Sequence, residues 1–488
     1  MERVPASTEI LVIGGGPAGS TAATMLARLG MKVTLLERAR FPRYHIGESL
    51  LPTILPILDL LGAREKVEAF GFQKKPGAYL QWGKEQWSLD FGELSGNTTY
   101  AFQVTRSDFD QQLLEHARSQ GVQVFEEVEV QEIAFEGERP RAATWASVVE
   151  GNGRRGATGR IEFEYLIDAS GRAGIMATRY LNNRRFHKVF QNVAIWGYWE
   201  DADRLFTGRE GDIVVESIPD GWFWAIPLHD GTMSVGVVMH KDTVVARRGG
   251  GTEVIYRRAL EEAPKIKAIV ERARLASPIY TEQDYSYAAA SFCGPGYFLV
   301  GDSACFLDPL LSSGVHLATY SGILAAASIN SIRRGEVGEA EAAGFFEKTY
   351  RQAYLRFLVF LSAFYDVGRT KESYFWEAQQ LTEQDASSGD LKHAFLHLVT
   401  GVKDLVDVTK ESAHHLVLEE MTRRIDENLS LRRDKVALAS LEGDRRQAAS
   451  ANARFFTSVE GLFALNQEDA VDGLYVATQP YLRLARAQ

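Results

Sequence analysis

The chain has 488 residues, 45% hydrophobic and 24% charged, with a formal net charge of −10. This is ordinary globular composition with room for two or three lobes, and it excludes a fibrous or disordered chain. The acidic balance argues against a nucleic-acid partner, because phosphate contacts need a basic surface, and no apolar run is long enough to span a bilayer.

Thr8–Ile13 is a short apolar strand, and Gly14-Gly15-Gly16-Pro17-Ala18-Gly19 follows at once. A small-residue helix runs to Leu29, and a second strand, Lys32–Leu36, ends on Glu37. Strand, glycine turn, helix, strand and acid together form a dinucleotide-binding unit. Gly14 permits the tight turn, Gly16 lets a pyrophosphate approach the backbone, and Gly19 lets the helix pack on the sheet. Free N–H groups at the helix start hold phosphate charge, and Glu37 can accept from a ribose hydroxyl. The N-terminus runs straight into this unit, with no secretory signal ahead of it.

Arg38–Leu51 sets arginines, His45, Glu48 and Ser49 between apolar anchors. That pattern suits either a loop over a cofactor or a solvated connection. Leu55–Gly71 reads as helical, and Lys74-Lys75-Pro76-Gly77 as a turn into a strand reaching Gly83. Ser107 is placed to cap a helix over Asp108–Gln120, which puts Arg106 beside its N-terminus. Val122–Val130 alternates as a strand, and residues 131–164 suggest strands broken by the Gly151–Gly159 loop. Tyr165–Ile167 runs into the polar turn Asp168–Arg172. Val193–Trp199, Ile213–Ile218, Trp222–Pro227 and Met233–Met239 read as a second, mostly antiparallel sheet.

Thr252–Arg274 is helical, and Gly296–Gly301 is a buried strand that ends on Asp302. A small-residue helix then reaches Arg333. Glu339–Tyr365 carries an aromatic stripe at helical spacing, which marks core. From Gly368 onward helical stretches suggest a C-terminal extension. Cys293 and Cys305 are the only cysteines. They fit neither a disulfide framework nor a zinc site, and are expected as buried free thiols in a reducing cytoplasm.

Distant pieces resolve which nucleotide is meant. The strand ending Gly301-Asp302 resembles the second signature of FAD-dependent aromatic hydroxylases and their relatives, and Asp168–Arg172 resembles their intermediate turn. The resemblance implies an α/β fold of the aromatic-hydroxylase type. Its FAD-binding domain comes in three parts, 1–80, 111–185 and 286–335. A substrate-sheet segment and helix start occupy 81–110, an inserted antiparallel substrate domain 186–285, and a helical C-terminal region 336–488. Asp302 would meet a ribityl hydroxyl; Ala18, Arg38, Ser49, Arg106 and Pro309 would join the cofactor site.

Within that superfamily three stretches resemble flavin-dependent halogenases. Gly221–Pro227 carries their W-x-W-x-I-P pattern, with Trp222 and Trp224 on one side of a strand. Phe72–Ala78 matches the F-x-x-K-x-G-A arrangement of the phenol- and pyrrole-acting branch, with Lys75 at the lysine position and Lys74 in reserve. Asp308–Val315 resembles the halide turn, where the N–H groups of Ser313 and Gly314 would hold chloride or bromide. Tryptophan-acting members have a glutamate two places before Ser313. Leu311 stands there, which points toward phenol or pyrrole. FPRYHIGESLLP, SSGVHLATYS and ESYFW (Glu372–Trp376) are shared textures.

The resemblance implies that reduced FAD and oxygen oxidise halide to hypohalous acid, which Lys75 receives and delivers to an activated ring. Trp222 and Trp224 keep substrate from the flavin. No NADPH motif is evident, so a separate flavin reductase is expected. The setting implied is natural-product (antibiotic) biosynthesis, with an aromatic substrate carried on an acyl or peptidyl carrier protein. Arg333-Arg334 and the arginines of Arg179–Arg185 are candidate docking patches. Rival readings are an FAD-dependent aromatic hydroxylase, a flavoprotein reductase of isoprenoid double bonds, and a silent carrier-docking protein.

Overall fold

The computed structural model describes residues 3–82, 85–91, 100–148, 155–204, 209–247, 249–367 and 470–487. Its first sheet has six strands. Ile10–Ile13 lies at the centre, parallel to Tyr165–Asp168 on one side and Val33–Leu36 on the other. Gln123–Phe125 and Tyr297–Leu299 extend it in parallel, and antiparallel Cys293–Gly294 closes one edge. Both faces are covered, so Ile10–Ile13 is buried at every position. Two helices cross here, Pro17–Arg28 and Gly314–Arg333. A Cβ on Gly322 would stand 2.8 Å from the Ala18 carbonyl oxygen, so small residues allow this close contact.

The second sheet has nine strands and is mostly antiparallel; its centre runs Arg184–Glu200, Met233–His240, Gly221–Pro227, Ile213–Ile218. Gly77–Trp82 adds in parallel to Ile213–Ile218. Alternation sorts its faces. Trp222, Trp224 and Ile226 join the core shared with the first sheet, whereas Phe223, Ala225 and Val235 pack under helices Thr252–Leu260 and Pro264–Val270.

Several expected elements differ. Leu55–Gly71 is two helices, Ile54–Leu61 and Arg64–Phe70, because Gly62 turns left-handed at φ 72°. Thr252–Arg274 is divided ahead of Pro264, which has no N–H to continue a helix. Val122–Val130 is split by Glu127 at φ 59°. Lys74 and Lys75 lie on a short strand, Gln73–Lys75, rather than in a turn. The helix expected from Asp108 starts at Arg106, with Thr105 before it, so Ser107 is not its cap.

Strands Gly77–Trp82 and Tyr280–Ala289 and helix Arg106–Ser119 cross the expected domain limits near 80, 285 and 110. Helix Glu339–Val367 buries Phe346, Tyr350, Tyr354, Phe357 and Leu361 as expected. The end of the chain, however, is a β-hairpin, Leu474–Ala477 with Arg483–Arg486, where helix was expected. Residues 368–469, including Glu372–Trp376, and the Gly151–Arg154 part of the glycine-rich loop lie outside the described residues. No helix among the described residues is long and apolar enough to cross a membrane.

Candidate active site

A cleft of about 510 Å³ opens where the first sheet's strands end and reaches the inner face of the second sheet. Every sequence-predicted site residue lines it except Gly19 and Lys75. Glu37 and Arg38 follow the first sheet's Val33–Leu36, whereas Trp222 and Trp224 lie on the second sheet's Gly221–Pro227.

The glycine turn is built for close approach. Gly14 has φ 105°, and a Cβ there would lie 2.3 Å from the Ala169 carbonyl oxygen. Gly19 packs 1.9 Å (as an added Cβ) from the Gly14 carbonyl oxygen, which explains why it does not reach the cleft. Gly16 precedes the helix without a side-chain cap, so the first N–H groups of Pro17–Arg28 face the cleft unsatisfied by any side chain. Both Glu37 oxygens accept backbone N–H bonds, from Gly15 at 2.6 Å and Ala39 at 2.8 Å, which fixes the carboxylate at the cleft wall.

The Arg38–Leu51 segment lies over the cleft, which decides between its two readings. Arg106, at the start of its helix, holds it. Arg106 makes a double ion pair with Asp110 and donates to the carbonyls of Ile46 and Gly47. Asp110 and Arg43, which sequence reasoning missed, complete this cluster. Arg43 pairs with Asp110 at 3.3 Å, and its Nη2 stands 3.3 Å from where a Gly16 Cβ would be. Its Nη1 is buried without a hydrogen-bond partner among the described residues. An arginine donor left open beside a glycine cradle and a helix N-terminus suits a pyrophosphate, so the residues present fit FAD. The available signal was Asp110 four residues after Arg106, one helical turn away.

At the far end Trp222 and Trp224 stand 5.9 Å apart, centroid to centroid, both almost fully buried. Gly236 makes room for Trp224: a Cβ there would lie 2.2 Å from its ring. Sequence reading passed over Gly236, whose need appears only when strands pair. Asp302 sits in the turn after Tyr297–Leu299; burial raises its pKa, while Arg172, Arg106 and Arg184 oppose that rise. Ser312 adopts a left-handed φ of 55°, which turns the chain into the helix at Gly314 and leaves Ser313 buried at its start.

Glu48 is 2% exposed and lines the cleft. Burial pushes its pKa up to about 7, against hydrogen bonding from Tyr198. Tyr198 donates to Glu48 Oε1 at 2.6 Å, its hydroxyl lies 3.0 Å from that of Tyr44, and Trp196 Nε1 donates to Tyr44 at 2.8 Å. Lys75 is behind the cleft wall rather than on it. It is 2% exposed, its Nζ donates to the Leu50 carbonyl at 3.0 Å, and it lies 5.3 Å from the Phe91 ring centroid. Lys74 points out over Tyr100. The structure thus separates the two lysines.

Cys305 is buried, with burial pushing its thiol up to about 12, but Cys293 is only partly buried. The proposed docking arginines are engaged: Arg333 pairs with Glu9 and Glu164, and Arg334 with Glu336.

The profile of the tryptophan halogenase family matches this chain over residues 9–97 and 93–412. The chain belongs to that family. It is 46% identical to a tryptophan 2-halogenase of Chondromyces crocatus, over 99% of this chain and 95% of the relative. The sulochrin halogenase of Aspergillus terreus is 40% identical, over 74% and 70% of the two chains. Among solved structures, the myxobacterial chondrochloren halogenase superposes with a TM-score of 0.72 at 38% identity, covering 81% of this chain and 90% of its own. The flavin-dependent halogenase CmlS gives 0.69 at 34% identity, covering 80% and 72%.

The protein is therefore a flavin-dependent halogenase, an oxidoreductase that uses FAD and a halide. That membership sets aside the hydroxylase, isoprenoid-reductase and silent-protein readings. It also implies a partner flavin reductase. The similarity to the tryptophan 2-halogenase spans 99% of this chain, so the C-terminal region is shared with that relative.

Proposed function

We propose that this halogenase chlorinates or brominates an electron-rich phenolic ring, presented on a carrier protein, with Lys75 as the group that delivers the halogen. FAD would lie along the cleft. Its pyrophosphate would meet Gly16, the first turn of Pro17–Arg28 and Arg43; its ribose would meet Glu37 and its ribityl chain Asp302. Bound in reduced form, it supplies with oxygen the oxidant that converts halide to hypohalous acid. Ser313 and Gly314 present backbone N–H groups to the halide at a helix start. Trp222 and Trp224 close the flavin side to an aromatic substrate and exclude water. Glu48 can hold or release a proton near neutral pH.

The observation that carries the reading is Lys75: an almost fully buried ammonium, tied to Leu50 in the same segment as Glu48 and Ser49. A lysine buried without chemical purpose is rare, because removing its charge from water is costly. Hypohalous acid received there is hydrogen-bonded by the ammonium, or, once a proton has left the ammonium, halogenates the amine nitrogen with loss of water; the electrophilic halogen then replaces a ring proton. Lys75→Ala should lose at least a hundredfold in halogenated product while still consuming reduced FAD and oxygen, on the order of the effect of removing one positioned catalytic group. Retained product would move the role elsewhere.

A second reading, an indole substrate, is favoured by the 46% identity to the tryptophan 2-halogenase. Mass spectrometry decides between them. Free phenols, carrier-loaded phenols and tryptophan are incubated with the enzyme, a flavin reductase, oxygen and chloride or bromide. Chlorination of tryptophan with the higher kcat/KM would replace the phenolic reading. A preference for the free phenol would remove only the carrier.

A further inference from the structure

The lysine and the halide turn belong to different parts of the fold, and two hydrogen bonds link them. Lys75 pairs in register with Ala101, and the Leu50 N–H donates to the carbonyl of the next residue on that strand, Phe102, at 3.0 Å. Lys75 Nζ returns to the Leu50 carbonyl at 3.0 Å, so strand, Leu50 and lysine are tied together. A little further on, Thr53 opens helix Ile54–Leu61. A threonine in that place ordinarily turns its hydroxyl onto the first N–H groups of its own helix. Thr53 makes no such bond; its hydroxyl meets His316 Nδ1 at 2.8 Å, 263 residues away. His316 lies in the first turn of Gly314–Arg333. Both partners are buried. The imidazole stacks on Tyr320, centroids 5.8 Å apart and planes 7° apart, with Phe357 edge-on at 5.4 Å. Burial pushes its pKa down to about 4, so it meets Thr53 as a neutral ring.

Resting on the readings of Lys75 and of the Ser313–Gly314 turn above, we propose that Thr53 is a positioning residue for halogen transfer: its bond to His316 holds the helix start that bears the halide turn in register with the segment that holds Lys75. Hypohalous acid is small and free to diffuse, so product depends on where the receiving nitrogen stands when the acid leaves the turn. A misplacement of about 1 Å can cost on the order of a hundredfold in a positioned reaction. Both ends of the link are stiff. Leu51 and Pro52 alone separate Leu50 from Thr53, and proline's fixed φ limits their play. On the other side the Leu317 N–H bonds back to the Ser313 carbonyl at 2.9 Å, so His316 is held in the same helical turn as the halide residues. Rings on two sides keep the imidazole from sliding, and the buried hydrogen bond fixes its direction. Thr53 therefore acts on the hand-over of the halogen and not on the oxidation of halide.

The test uses full-length enzyme with FAD, a flavin reductase, oxygen and chloride, and whichever of the phenols or tryptophan it halogenates fastest. Two yields are read per reduced FAD consumed: chlorinated ring, by mass spectrometry, and escaped hypochlorous acid, trapped by taurine as its N-chloro derivative. Thr53→Val keeps the shape of the side chain and removes its hydroxyl. Chlorinated ring per reduced FAD should fall several-fold and trapped acid should rise, while consumption of reduced FAD and the chloride KM hold. Thr53→Ser should restore the yield. His316→Phe should cause a like loss, and the double variant should lose no more than either single one, because the same bond is removed in all three. If Thr53→Val does not fold, Thr53→Ala and His316→Phe carry the test. A folded variant with an unchanged partition between ring and taurine, or single losses that add, overturns the proposal; a bond serving stability alone would lower the melting temperature and leave that partition where it was. Full chlorination by Lys75→Ala would instead overturn the reading of Lys75, and unchanged chloride saturation in Gly314→Ala that of the turn, whatever the Thr53 variants show.

Discussion

Gly16 and Glu48 line the same cleft and bear on folding in different ways. A Cβ on Gly14 or Gly19 would strike backbone, but a Cβ on Gly16 would meet only Arg43 Nη2 at 3.3 Å. Gly16→Val should therefore fold with a near-native melting temperature and lose FAD affinity tenfold or more, about 1.4 kcal/mol; flavin titration by fluorescence checks this. Glu48 makes the opposite kind of statement. Its folded pKa, near 7, lies above its ordinary 4.5, so the folded state holds the proton more tightly. Its contribution favours folding fully below about pH 4.5 and is lost as pH climbs to about 7, a change on the order of 3 kcal/mol. Glu48→Gln stays neutral throughout. The stability of the wild-type apoprotein relative to this variant should thus fall between pH 4.5 and 7 and level off above it. Urea midpoints of both proteins across that range test it, and parallel curves would mean that Glu48 is already ionised when buried.

Elements that announce themselves locally were legible, and elements set by pairing were not. The strand–glycine–helix unit, the WFWAIP strand and the aromatic stripe of Glu339–Val367 follow from spacing alone, because periodicity of 2 or 3.6 decides which face is buried. The position of Lys75 in a strand, the need for Gly236, and the pairing of Arg43 with Asp110 come from contacts between residues far apart in sequence, which no local pattern records. The breaks at Gly62 and Pro264 were visible as residues but were overridden by the apolar pattern around them. The helix Gly314–Arg333 gives a test at its start. A Cβ on Gly314 would meet nothing within 4 Å, and Gly314 lines the cleft. Gly314→Ala should leave the melting temperature unchanged or raise it slightly, since alanine is about 1 kcal/mol better than glycine in a helix interior. On the proposed halide assignment its methyl group would crowd the bound ion, so the apparent KM for chloride should rise several-fold, and more for bromide. Halide saturation curves measure this; unchanged values would remove the halide from this turn.

Across the molecule, the same long helix joins the site to the chain's end. The hairpin of Leu474–Ala477 and Arg483–Arg486 buries Leu474, Val476, Leu482 and Leu484 against the core. It is fastened by two polar contacts on the far end of Gly314–Arg333. Asn330 Nδ2 donates to the Leu482 carbonyl at 2.7 Å, and the Leu484 N–H donates to Ser331 Oγ at 2.8 Å. Asn330 lies roughly 24 Å along the helix from Gly314, at about 1.5 Å per residue. Asn330→Ala leaves the Leu482 carbonyl buried without its donor, which should cost about 1–3 kcal/mol. The loss should appear as a lower urea midpoint with unchanged kcat and chloride KM in the folded enzyme. If kcat falls while the midpoint holds, the hairpin is coupled to the site through the helix and is not merely its anchor.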